Sequence, residues 1–160
     1  SKPVTDWVLL HVPVISPLTK NSNVARFCRT LGTLLKSGLT IDEAINVTQE
    51  SLGNFYFRRI LKDVAKRLSS GTPLSEHLSR HENLFPKLVT RMIQVGEKSG
   101  RLEESLYYLA EFYEEEVDNN TKTMATAIEP MLLIGIGLVV GFLALSIISP
   151  IYSITGSIKT

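Results

Sequence analysis

Few side chains in this sequence could do chemistry, and none are grouped as a reaction would require. His77 and His81 stand four apart, a spacing at which two imidazoles on one helix face can meet a metal ion, but no third ligand joins them. Solvated helix histidines are the simpler expectation. Glu114, Glu115, Glu116 and Asp118 supply oxygen suited to a hard cation such as calcium, yet consecutive helix positions point in different directions. A charged helix face is expected there instead. The single cysteine, Cys28, excludes an internal disulfide, and its place on an apolar helical face predicts a buried, reduced thiol. A phosphate-cradling Gly loop, a His-Glu-x-x-His pair, a serine elbow and a cysteine cluster are all missing. We therefore expect no catalysis, no metal and no cofactor.

Charge is the stronger signal. Residues 20–91 hold twelve basic and six acidic side chains, a balance of +6, whereas residues 97–129 hold three basic and nine acidic, a balance of −6. A nucleic-acid binder shows one unopposed basic face, so the division points to contacts between proteins or between protomers. The charges also have helical order. Arg59, Lys62 and Lys66 fall at i, i+3 and i+7, away from the apolar positions of their segment, and Glu104, Glu111, Glu115 and Asp118 form an acidic stripe further on. These seven are candidate partner-interface residues. The competing expectation is that both stripes are simply solvated, because exposed ion pairs contribute only about 0–1 kcal/mol each.

Elements that position these residues read as helices throughout. Val24, Phe27, Cys28, Leu31, Leu34 and Leu35 mark one helical face ending at Gly38, and Thr40 with Glu43 forms a capping box for a second helix to about Ser51. A third follows Gly53-Asn54 with Phe57, Ile60, Leu61, Val64 and Leu68 inward. A short fourth opens at Thr72-Pro73, and a fifth is expected to bury Leu88, Met92 and Val95 and to stop at Gly100. The sixth carries Leu102, Leu106, Leu109, Tyr113 and Val117 on one face. Gly38, Gly71 and Gly100 occupy similar junctions, each followed by acidic groups, which suggests three hairpins; a tetratricopeptide array is the rival architecture, with a period that drifts here. No segment alternates long enough for a sheet.

From Met131 to Ile148 every residue is apolar except Gly135, Gly137, Gly141 and Ser146, and no charge falls between Glu129 and Lys159. Those eighteen residues at about 1.5 Å each cover roughly 27 Å, the thickness of a hydrocarbon core. Glu129 marks the membrane boundary, with a proton relay as the alternative, and Pro130 predicts a kink or short break near residues 126–130. Gly137 and Gly141 are spaced for close packing against a partner helix. The division is then a linker over 1–21, broken by Pro3, Pro13 and Pro17, a soluble helical domain over 22–129, a transmembrane helix over 130–155 and a tail over 156–160. Trp7-Val8-Leu9-Leu10 is either an interfacial anchor or an extended linker packed on the domain. With no initiator Met, the chain is expected to be a piece cut from something longer.

The order Ala25-Arg26-Phe27, Ser37-Gly38-Leu39-Thr40, Phe85-Pro86, Met92-Ile93, Gly96-Glu97-Lys98-Ser99-Gly100-Arg101-Leu102, Glu111 to Asp118, Glu129-Pro130 and Pro150 resembles the type II secretion system F domain family. That family supplies the inner-membrane platform of type II secretion and type IV pilus machines. The resemblance covers roughly residues 20–155 and implies the second of two related cytoplasmic domains with its last span. It implies an all-α, antiparallel six-helix bundle of three helical hairpins followed by one C-terminal transmembrane helix, with residues 20–129 in the cytoplasm and Ile151–Thr160 on the periplasmic side. It also implies a non-enzymatic homo-oligomeric scaffold that couples a cytoplasmic assembly or secretion ATPase to pilin or pseudopilin and other inner-membrane components. A membrane-tethered adaptor or sensor that binds a ligand or protein within its bundle is the alternative; its mark would be a cavity of polar groups converging from several helices.

Overall fold

The computed structural model describes the backbone of residues 16–68 and 71–156, with side chains except at Ser16, Ala127 and residues 147–156. Among these the regular elements are helices: α1 (Ser16–Lys36), α2 (Ile41–Ser51), α3 (Phe55–Leu68), α4 (Leu74–Ser79), α5 (Lys87–Ser99) and α6 (Leu102–Gly156). They divide into a unit ending at Asn119 and a second beginning at Asn120. The Trp7-Val8-Leu9-Leu10 segment lies outside the described residues.

In the first unit the 3.6-residue period explains most of the core. Val24, Phe27, Cys28 and Leu31 are fully buried on α1, with Leu34 and Leu35 packed at its edge. Phe57, Leu61, Val64 and Leu68 are buried on α3, and Leu106, Leu109, Ala110 and Tyr113 on α6. Phe85, in the turn before α5, reaches the centre and packs edge-on against Phe27 at 5.3 Å and Phe57 at 5.2 Å between ring centroids. Aromatic pairs in this geometry contribute about 0.5–1.5 kcal/mol beyond the area they bury.

Local chemistry sets the ends of these helices. The Thr40 backbone N–H donates to Glu43 Oε2 at 3.0 Å, and Glu43 N–H donates to Thr40 Oγ1 at 3.4 Å, so the expected capping box is present. Asn54 Oδ1 accepts from the N–H groups of Tyr56 and Phe57 and so starts α3. Gly38, Gly71 and Gly100 have φ of 91°, 83° and 70°, a region costly for residues with a Cβ. The three similar junctions are therefore three left-handed exits.

Three expectations are corrected. First, α1 begins at Ser16, inside the stretch expected to be irregular; Pro17 sits in the first turn, where its missing N–H has no helical acceptor to lose. Second, α5 is turned by about one residue from the predicted face. Val89, Thr90, Ile93 and Gly96 are buried, whereas Leu88 is 41% and Val95 59% exposed. A Cβ on Gly96 would lie 2.7 Å from Ser105 Oγ and 2.8 Å from Leu102 Cα, so the closest approach of α5 to α6 falls at a glycine that a search for large apolar residues ignores. Third, no break separates the sixth helix from the apolar stretch, because α6 is one helix of 55 residues. Pro130 removes one hydrogen bond from a ladder that continues on both sides.

In the second unit, the described residues from Met131 to Ser146 are exposed all around. This helix is long and apolar enough to cross a membrane, and no described residue buries its apolar stretch.

Gly96→Ala places a methyl group against the backbone of Leu102 and is expected to destabilise the first unit by about 1–3 kcal/mol. Thermal unfolding of the detergent-solubilised protein checks this; an unchanged midpoint would show that the two helices can separate without cost.

Candidate functional site

The basic stripe lies where its spacing places it. Burial of Phe57, Leu61 and Val64 turns Arg59, Lys62 and Lys66 outward, and all three are exposed. With Ile60, Asp63 and His81 they line a groove of about 430 Å³. An adjoining cleft of about 220 Å³ shares Asp63 and His81 and adds Arg67, His77 and Arg80. The groove is therefore wider and more basic than one helix face, because α4 and the turn after it supply a second wall. Arg67 is held by Asp63 at 3.2 Å and Arg80 by Glu76 at 3.0 Å.

The histidines do not match the expected solvated pair. His77 is only 6% exposed and its Nε2 has no hydrogen-bond partner, while His81 lies beyond the end of α4. The helix stops at Ser79, so the i,i+4 relation assumed from the spacing does not hold. Among the described residues no three His, Cys, Asp or Glu side chains are grouped to hold a metal ion.

On α6 the acidic residues separate by side. Glu114 faces α1 and accepts two hydrogen bonds from Arg29, from Nε at 2.9 Å and from Nη2 at 2.6 Å. That hydrogen-bonded carboxylate raises the Arg29 pKa above its ordinary value. The guanidinium also lies 5.5 Å from the ring centroid of Tyr107, and the Tyr107 hydroxyl reaches Thr33 Oγ1. Glu104, Glu111, Glu115 and Asp118 stay exposed, with Glu104 3.8 Å from Arg101. Tyr108 and Phe112, 56% and 37% exposed, share that outer side. The structure thus keeps the basic and acidic stripes on separate surfaces and closes one ion pair, Arg29–Glu114, between α1 and α6.

Glu97 is a functional group that the spacing did not reveal. Its carboxylate accepts from Leu74 N at 2.6 Å, Ser75 N at 3.2 Å and Ser75 Oγ at 2.5 Å. The N-cap position of α4 is Pro73, which supplies no side-chain cap, so α5 provides one from outside. A helix start with no capping side chain of its own was the available signal. A cleft of about 590 Å³ beside this contact, lined by residues including Glu76, Lys87, Arg91 and Gln94, is walled by α4, α5 and their connecting turn. Its polar lining comes from these two helices and the turn between them.

Cys28 is fully buried, and desolvation pushes its thiol above the ordinary range, which makes it a packing residue. Glu129 and Pro130 are exposed, and a Cβ at Gly137 or Gly141 would meet nothing within 4 Å.

Residues 27–150 match the profile of type II secretion system (T2SS) protein F, and the chain belongs to that family. It is 36% identical to the type IV pilus assembly protein PilC of Thermus thermophilus over 98% of this chain and 38% of that protein. It is 32% identical to the PilC of Pseudomonas aeruginosa over 93% of this chain and 40% of that protein. Similarity to the type II secretion system protein F of Aeromonas hydrophila is 30% over 95% of this chain and 39% of that protein. The chain therefore spans about two-fifths of the length of the relatives it matches.

Two expectations follow. Glu97→Ala leaves the first turn of α4 uncapped and should cost about 1–2 kcal/mol in thermal unfolding, with Ser75→Ala costing less. An Arg29→Ala, Glu114→Ala double-mutant cycle should return a coupling of about 0.5–1 kcal/mol, reduced by salt because both side chains are partly exposed. Zero coupling would leave the Tyr107 contacts and apolar packing to hold α1 to α6 at this level.

Proposed function

We propose that this chain is the second cytoplasmic domain and last membrane span of an inner-membrane platform protein in a type IV pilus or type II secretion machine. Family membership over residues 27–150 carries the reading, supported by relatives named for both machines. In it, residues 22–129 form a closed six-helix bundle of three hairpins, residues 130–155 cross the membrane, and Ile151–Thr160 emerge in the periplasm. The contact of Gly32 with Leu106 and Tyr107 supports closure, because it joins the first described helix to the last, as an open array of repeats does not.

The proposed role is mechanical and not catalytic. A cytoplasmic ATPase engages the helical bundle, and the membrane part passes the motion to pilin or pseudopilin. Helix α6 supports this role, since its residues 102–118 belong to the packed domain and its later residues to the apolar stretch. Glu129 then marks the interface, and Gly137 and Gly141 are where another transmembrane helix approaches closely.

Purified chain should not hydrolyse ATP, and the machine's ATPase should co-purify with it from detergent. A periplasmic reporter fused after Thr160 should be active. Turnover abolished by mutating this chain's own residues, or activity only from a reporter fused near Ser22, would reject the reading.

A further inference from the structure

We propose that the acidic outer face of α6 docks in the α3–α4 groove of a second copy of this chain, antiparallel, with Lys62 opposite Glu115. The inference does not depend on ATPase coupling, because it concerns two surfaces of the same domain.

Spacing supplies the first argument. Arg59, Lys62 and Lys66 are separated by steps of three and four residues, and so are Asp118, Glu115 and Glu111 when α6 is followed backwards. At about 1.5 Å per residue these steps are roughly 4.5 and 6 Å. Antiparallel helices therefore bring Arg59 level with Asp118, Lys62 with Glu115 and Lys66 with Glu111. A parallel arrangement displaces the central pair by one residue when the outer pairs are aligned.

Unused charge supplies the second. Among the described residues, neither Arg59 nor Lys62 on one surface, nor Glu111, Glu115 or Asp118 on the other, takes part in an ion pair. Glu114, between them in sequence, is turned to α1 and already matched by Arg29. The basic stripe and the acidic one can therefore be satisfied by exchange between two copies. A two-fold dimer makes the contact twice, since each copy offers both a groove and a face.

Shape supplies the third. The groove is a recess of about 430 Å³ that includes Ile60 among its basic residues. Beside the acidic stripe, Tyr108 and Phe112 are one turn apart and exposed, each three residues before Glu111 and Glu115 respectively. Exposed charge pairs alone contribute little, and aromatic side chains entering a recess give the packing that fixes them.

The test uses full-length chain in detergent, labelled as two populations for energy transfer, at low and high salt. Lys62→Glu with Lys66→Glu should weaken self-association on the order of tenfold at low salt, and adding Glu111→Lys with Glu115→Lys to the same chain should restore it. Lys66→Glu should be rescued by Glu111→Lys and not by Asp118→Lys, which separates antiparallel from parallel docking. As a measurement on chains with native charge elsewhere, Lys62→Cys in one population and Glu115→Cys in the other should be joined by a short bismaleimide only when mixed. Reversals that leave self-association unchanged, equal rescue by the mismatched pair, or no cross-link between copies would each overturn the proposal. Reversals that abolish ATPase co-purification while sparing self-association would also overturn it and would leave the platform reading intact.

Discussion

Close approach of α6 to two other helices is the constraint on which the first unit depends. A Cβ on Gly96 would collide with Leu102 and Ser105, and one on Gly32 would lie 3.3 Å from Leu106 Cβ. Those two glycines let α5 and α1 lie close along one side of α6, where Leu106, Leu109, Ala110 and Tyr113 are buried. Their lack of side chains costs helix propensity, about 1 kcal/mol each against alanine, and the loss is offset by dispersion contacts that larger residues would hold apart. Residues next to Gly96 inherit this geometry. Glu97 is turned toward α4 because Gly96 faces α6, so one dipeptide both packs a helix pair and caps a third helix.

Electrostatics then act on a frame that packing has already set. Helix α1 takes Glu114 through Arg29, which satisfies the inner side of the acidic run, and Glu111, Glu115 and Asp118 stay exposed. Like charges gathered on one surface repel and contribute nothing to folding. Their cost is small in water because exposed charges are well solvated and screened, so the fold tolerates the arrangement. The basic groove follows the same logic with one difference. Its second wall carries His77, a buried imidazole with an unpartnered nitrogen, so that side of the groove is held by packing around a polar group instead of being open to solvent.

Much of this was legible from spacing. Apolar residues at helical intervals identified the inward faces of α1, α3 and α6, and the Thr40–Glu43 box and the three glycine exits appeared as read. The stripes Arg59-Lys62-Lys66 and Glu111-Glu115-Asp118 are exposed as their periodicity implied. Two of the failures share a reason: a hydrophobicity pattern counts large side chains and overlooks contacts made by small or polar ones. On α5 the larger stripe of Leu88 and Val95 lost to a face containing Thr90 and Gly96. Glu97 looked like another surface carboxylate, because its partners are backbone N–H groups twenty-two and more residues away. His77 and His81 were misplaced because the helix expected to join them ends at Ser79.

The continuity of α6 has the widest physical reach. A proline costs a helix interior about 3 kcal/mol, and such a cost at Pro130 led to an expected break. The helix nevertheless continues to Gly156. Ending it there would release further carbonyls and N–H groups at the edge of an apolar stretch, where each unsatisfied group is more expensive than the single bond the proline removes. Continuing is the cheaper solution, and the buried residues from Leu106 to Tyr113 and the exposed residues from Met131 onward accordingly belong to one helical element.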